Sequence, residues 1–199
     1  MTDKTYMDDV AGLMAQIERR GKIENPIVLY GSSSFNYWHR MAEDLNSLSL
    51  INAGFGGGTY QGAFEHYQRV LKPLIPSQIL IYFGENDIAA DGNTAEQVLA
   101  QQQKFHKMLR ADFPTTKIIY LGIKTGPSRW IWHTEYTKYN NLLAEFLEAD
   151  PQSETLDIMS CLIGANGLPM QKYFENDGIH VTDQGYALWV PIIRTALNI

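Results

Sequence analysis

The chain has 199 residues, 45% hydrophobic and 19% charged, which is ordinary globular composition and argues against a disordered chain, a coiled coil or a collagen-like fibre. Sixteen Lys and Arg against 22 Asp and Glu leave a net charge of −6, so the basic face of a nucleic-acid binder is not expected. One cysteine, Cys161, forms no internal disulfide and makes no zinc knuckle. The opening MTDKTYMDDV is polar and acidic, unlike a signal peptide, and no apolar run approaches the ~20 residues of a membrane span. The expectation is one cytoplasmic domain over residues 1–199, away from membranes, with a homo-oligomer compatible with its charge.

Short apolar runs alternate with longer amphipathic ones. Met7, Val10, Met14 and Ile17 have helical spacing, and Arg19, Arg20 and Gly21 look like a helix end. PIVLY at 26–30 reads as a buried strand ending at Gly31. The segment 35–46 is helix-like, and LSLIN at 48–52 is a strand running into a glycine cluster. A helix over 61–71 and a strand ILIYF at 79–83, ending at Gly84, come next.

Thr94 and Gln97 form a capping-box pattern that opens a helix to about Arg110. KIIYLGI at 117–123 is a fourth strand. Tyr139, Leu142, Leu143, Phe146 and Leu147 mark a helix face, and TLDIM at 155–159 is a weaker fifth strand. Tyr186, Trp189, Ile193 and Leu197 make a final helix that Pro191 should kink or shorten. Such alternation implies an α/β domain with a parallel sheet, whose binding crevice lies at the carboxyl ends of the strands.

Four short segments sit at those ends or at a helix start: Gly31-Ser32-Ser33-Ser34, Asn52 to Thr59, Gly84-Glu85-Asn86-Asp87, and Asp177-Gly178-Ile179-His180. Ser33, on a tight strand-to-helix turn, is a nucleophile if a base reaches it; read alone, Ser32, Ser33 and Ser34 fit helix-capping residues better. Among the five histidines, only His180 has an acid three positions earlier on a short loop. Asp177 there can hold the imidazole tautomer that leaves Nε2 to take a serine proton, or simply bond the loop ahead of Thr182. The other four histidines read as surface or packing residues. The Ser33 amide, a glycine-cluster amide and the Asn86 side chain are candidate oxyanion donors; plain turn roles are the alternatives.

Competing motifs fail on spacing. Thr59 stands where a dinucleotide fingerprint needs its third glycine, and Phe35 breaks a G-x-S-x-G elbow. Glu85, Asp87, Asp177 and His180 lack metal-ligand spacing.

Together the four segments resemble the blocks of the SGNH hydrolases, also called GDSL-type esterases and lipases, over about residues 27–197. The resemblance places Ser33 as nucleophile, Gly57 and Asn86 as oxyanion donors beside the Ser33 amide, and Asp177 and His180 as the acid–base pair. It implies a three-layer α/β/α sandwich, flavodoxin-like, with a five-stranded parallel sheet ordered 2-1-3-4-5, and neither metal nor organic cofactor. The family's usual aspartate before the nucleophile is Ser32 here; it is not one of the name-giving residues, so the chemistry is expected to survive.

The expected activity is hydrolysis of small or short-chain acyl esters. Acyl transfer to a sugar or alcohol, carbohydrate O-deacetylation and non-catalytic ligand binding are the alternatives. In the loop after the fourth strand, Arg129 and Trp130 are candidate substrate contacts, Arg129 for an anionic group and Trp130 for stacking; helix packing is the other reading of the tryptophan.

Overall fold

The structure, a computed structural model, describes residues 10–199 except 16, 19, 20 and 22. Its centre is five parallel strands: β1 (Ile27–Gly31), β2 (Leu50–Gly54), β3 (Gln78–Tyr82), β4 (Lys117–Leu121) and β5 (Ser153–Leu156), in the order β2-β1-β3-β4-β5. The expected strand order and direction are those observed.

The continuous apolar runs follow from burial on both faces. Side chains alternate across a strand, so Val28, Tyr30, Ile79, Ile81, Ile118 and Tyr120 fall into one core. Ile27, Leu29, Leu80, Tyr82, Ile119 and Leu121 fall into the other. Over the first face lie a helical segment at 10–15 and 17–18 and the helices α3 (Tyr60–Val70), α5 (Ala95–Asp112) and α6 (His133–Leu147). Over the second lie α1 (Ser33–Asn36), α2 (Met41–Asp44) and α7 (Asp183–Leu197). The short α4 (Glu85–Ala89) follows β3. Among the described residues no helix is long and apolar enough to cross a membrane.

The capping box predicted at α5 is formed, with Thr94 Oγ1 accepting from the Gln97 amide and Gln97 returning to the Thr94 amide at 2.8 Å. The first expected helix is seen in part; Met7, Arg19 and Arg20 lie outside the described residues. Pro191 sits inside α7 without ending it.

Several expectations shift: β2 spans Leu50–Gly54 rather than the expected 48–52, β4 ends at Leu121 rather than at 123, and two further differences have visible causes. The helix read over 35–46 is two single turns, α1 and α2, because the chain turns Trp38 into the core. Its ring stacks on Tyr186 at 4.9 Å and its Nε1 donates to Asp44 at 2.7 Å, contacts that outweigh local helical periodicity. β5 lies two to three residues earlier than read, since Asp157 Oδ1 accepts from the amides of Met159 and Ser160 and turns the chain there.

Candidate active site

The register of the sheet assembles the site. Gly31 pairs with Gly54 on one side and with Tyr82 on the other, so β1, β2 and β3 end level. The Phe55 amide donates to Gly31 O and the Ser32 amide to Tyr82 O, each at 3.0 Å, carrying that alignment one residue further. The three following segments therefore leave the sheet side by side.

Glycine is required by closeness here. A Cβ on Gly31 would lie 2.7 Å from the Phe35 ring and 2.8 Å from Tyr82 O; on Gly58 it would lie 3.1 Å from Ser32 Cα. Gly57 has φ +64°, a left-handed turn that glycine adopts without cost. Asn52 braces the assembly, its Nδ2 donating to Phe35 O at 2.6 Å and its Oδ1 accepting from the Gly54 amide at 3.0 Å.

Ser33 opens α1, half-buried. Its Oγ is 3.0 Å from His180 Nε2, and His180 Nδ1 is 2.5 Å from Asp177 Oδ2. Asp177 Oδ1 accepts from the amides of Ile179 and His180 at 2.8 and 3.0 Å. Burial opposes ionisation of Asp177, but those amides and the imidazole outweigh it and hold the carboxyl down at about 2. An ionised Asp177 only accepts, so Nδ1 carries the hydrogen and Nε2 presents its lone pair to the serine hydroxyl. The loop that carries them is fixed by the bridge between Phe174 and Val181 and by the Thr182 cap on Gly185.

Asn86 lies in the first turn of α4, buried, with Nδ2 donating to Gly58 O at 3.1 Å. That turn is held by Asp87, whose carboxylate accepts from the Gly84 amide at 3.1 Å and the Tyr60 amide at 3.0 Å. Gly84 has φ +104°.

The loop after β4 closes over α4. A Cβ on Gly126 would collide with Gly178 O, and the Ser128 amide donates to the same carbonyl at 3.1 Å. Arg129 thereby reaches Asn86 Oδ1 at 3.1 Å and Glu85 O at 3.3 Å. Trp130 stacks on His133 with ring centroids 4.1 Å apart.

Three features were not assigned from sequence. Lys124, fully buried, pairs with Glu85 at 2.7 Å, and the Tyr82 hydroxyl donates to the same oxygen at 2.6 Å. Burial pushes the Glu85 carboxyl up, but Lys124, Arg129 and Tyr82 outweigh it and hold it below its ordinary value. Tyr37 sets its ring against His180, centroids 4.6 Å apart and planes at 64°. The third is the Asn52 brace. The glycine cluster hinted at that brace, whereas a lysine in a polar loop carries no signal of burial.

Of the other histidines, His66 is buried against Phe55, His106 is buried between the Tyr120 hydroxyl and the Asp150 carboxylate, His133 meets Thr125 and His39 is exposed.

A profile for the GDSL-like Lipase/Acylhydrolase family matches residues 24–188, and the chain belongs to that family. It is 24% identical over 178 residues to platelet-activating factor acetylhydrolase IB subunit alpha2 of Gallus gallus, covering 83% of this chain and 73% of that protein. Solved structures share the fold. A Bacteroides fragilis protein assigned as an acylhydrolase superimposes with TM-score 0.81 at 21% identity, over 100% of this chain and 98% of that one. A GDSL-like lipase from Bacteroides thetaiotaomicron gives 0.78 at 19% identity, over 96% of each chain.

Proposed function

We propose that the protein is a serine esterase that hydrolyses small or short-chain acyl esters by way of a Ser33 acyl-enzyme. The observation that carries this is the unbroken hydrogen-bond line from Ser33 Oγ through His180 to Asp177. Family membership supports ester hydrolysis in general. The short acyl group is supported by the acetylhydrolase relative and by a site near the surface, with the side chains of Asp177 and His180 43% and 22% exposed.

In the first half-reaction, Ser33 Oγ attacks the ester carbonyl carbon while its proton passes to His180 Nε2. The carbonyl oxygen becomes an oxyanion held by the amides of Ser33 and Gly57 and by Asn86 Nδ2. The intermediate collapses, the carbon–alkoxy bond breaks, and His180 returns its proton to the leaving alcohol. In the second half, water gives a proton to His180 and attacks the acyl carbon. The ester to Ser33 then breaks, the serine regains a proton from His180, and the carboxylic acid leaves.

The test is a ladder of p-nitrophenyl esters, acetate to long-chain acyl, with wild type and Ser33→Ala. Turnover greatest at the short end and abolished in Ser33→Ala is the expected result. Turnover that survives Ser33→Ala, or a well-folded wild type inert on every ester, removes this reading.

A further inference from the structure

The Asn86 side chain is an amide whose oxygen and nitrogen ends have nearly the same shape but opposite hydrogen-bonding character. Only the nitrogen end can stabilise an oxyanion. Something must therefore decide which end faces the reacting carbonyl. In this structure two neighbours make that decision. Gly58 O, a pure acceptor, sits 3.1 Å from Nδ2, and the guanidinium of Arg129, a pure donor, sits 3.1 Å from Oδ1. Rotating the amide by half a turn sets Oδ1 against Gly58 O and Nδ2 against an Arg129 N–H. Both hydrogen bonds become repulsive contacts.

We propose that Arg129 is a positioning residue for Asn86, holding the amide oxygen so that one Nδ2 hydrogen goes to Gly58 O and the other is aimed at the oxyanion formed above Ser33. This rests on the esterase reading and deepens it.

Arg129 is itself held in place. Its Nη1 lies 3.3 Å from Glu85 O and 3.5 Å from Glu85 Oε1. Glu85 is in turn fixed by Lys124 and Tyr82 through its other oxygen. Lys124 and Glu85 are almost completely buried, and a buried ion pair seldom adds much stability by itself. Glu85, held rigid by this pairing, supplies the counter-charge for Arg129. Burial opposes the charge on the guanidinium, but Glu85 and Tyr136 more than offset this and keep it firmly protonated. A fixed positive charge on Oδ1 also draws electron density from the amide, which strengthens Nδ2 as a donor. The order of action is thus Lys124 and Tyr82 on Glu85, Glu85 on Arg129, and Arg129 on Asn86. A substrate-binding arginine would show a different signature, since its guanidinium would be spent on the ligand and its loss would appear in KM.

The experiment compares wild type, Arg129→Met, Arg129→Lys, Asn86→Ala and the double variant Asn86→Ala/Arg129→Met on p-nitrophenyl acetate, with the Asn86 side-chain Nδ2 resonances followed by NMR. Losing one oxyanion donor outright costs about 10²–10³ in rate, so misorienting it in Arg129→Met should lower kcat about 10–100-fold. KM should stay within about threefold, and in the Asn86→Ala background the same substitution should cost less than about threefold. Arg129→Lys should recover part of the loss, because one ammonium donor can reach Oδ1 without bridging to Glu85. The Nδ2 pair should be sharp in wild type and shifted or exchange-broadened in Arg129→Met.

Losses that multiply independently in the double variant, a loss confined to KM, or Nδ2 resonances unmoved by Arg129→Met would each overturn the assignment. A wild type that hydrolyses no ester, with Nδ2 still disordered by Arg129→Met, would end the esterase reading and leave the coupling of the two side chains standing.

Discussion

The hydroxyl of Tyr186 donates to the Ser34 carbonyl at 2.9 Å, tying the last helix to the turn that carries Ser33, the proposed nucleophile. The two residues are 152 positions apart, and the bond is buried. His180 lies on the loop leading into α7, so this contact helps to set where its imidazole stands relative to Ser33. Tyr186→Phe keeps the ring that stacks on Trp38 and removes only the donor. An unpaired buried carbonyl costs about 1–2 kcal/mol, which for a chain of this size lowers the melting temperature by roughly 2–8 °C. Calorimetry of the variant measures it, and an unchanged midpoint would show that the Ser34 carbonyl finds another donor.

Asp177→Asn should hurt catalysis far more than folding. The amide can offer a hydrogen to Nδ1 and stabilise the tautomer in which Nε2 is already protonated and useless as a base. A loss of kcat on the order of 10²–10⁴ is expected, with KM little changed. The native carboxyl is held down at about 2. A depressed carboxylate pKa contributes stability above its unfolded value of 3.8 and loses it as pH falls toward 2. Asp177 is therefore ionised throughout the weakly acidic range, and any fall in esterase rate between pH 7 and 5 belongs to another group. An Asp177 carboxyl carbon resonance that moved between pH 7 and pH 5 by the full amount of a protonation would contradict this.

The sheet was legible because buried parallel strands need uninterrupted apolar runs, and PIVLY, ILIYF and the IIYL of 118–121 are such runs. The candidate site was legible as a cluster because its backbone demands particular residues. Gly31, Gly58, Gly84 and Gly178 stand where a Cβ collides, and Ser33, Asn86, Asp177 and His180 keep short motifs around those positions. What escaped depends on contacts between distant segments. Trp38 breaks a helix-like stretch only because Tyr186 waits to stack on it. Lys124 is buried only because Glu85, 39 residues earlier, meets it. Arg129 reads from sequence as a contact for an anionic substrate group, and only the docking of the β4–α6 loop on Gly178 turns it toward Asn86.

Asp87 should make the fold sensitive to pH in the opposite sense from Asp177. Burial raises its carboxyl from 3.8 to about 6, although the amides of Tyr60 and Gly84 work against the shift. The folded protein thus binds this proton more tightly than the unfolded chain does. Its stabilising term is complete below pH 3.8 and is lost as pH rises through about 6. The difference amounts to about 3 kcal/mol at most, from roughly two pH units at about 1.4 kcal/mol each. Asp87→Asn removes the titration and also loses an acceptor, so it is less stable at every pH. The decisive quantity is the gap in urea midpoint between wild type and variant, which should narrow from pH 4 to pH 7. A constant gap would mean that Asp87 does not titrate in that window.

Arg110 should prove the side chain on which the β5 edge depends most. All five of its N–H groups are spent: Nε on Asp150 at 2.6 Å, Nη1 on Phe113 O and Thr116 O, and Nη2 on Gln152 O and Ser153 Oγ. It thereby fastens the end of α5, the turn into β4 and the start of β5 with one planar group. β5 needs this help because its four residues are only half-buried and contribute little apolar area. Arg110→Met takes the arginine donors away from three carbonyls, the Ser153 hydroxyl and the Asp150 carboxylate, and a loss of about 2–4 kcal/mol is expected. Arg110→Lys should recover little, since one ammonium cannot span the fork. Burial opposes ionisation of Asp150, but Arg110, Ser153 and the Gln152 amide hold its carboxyl down at about 2. Its stabilising term is present above pH 3.8 and fades as pH falls toward 2. Without Arg110 much of that depression goes. The melting temperature of Arg110→Met should then fall less steeply than that of wild type between pH 4 and pH 2, and parallel curves would assign the low Asp150 value to its other partners.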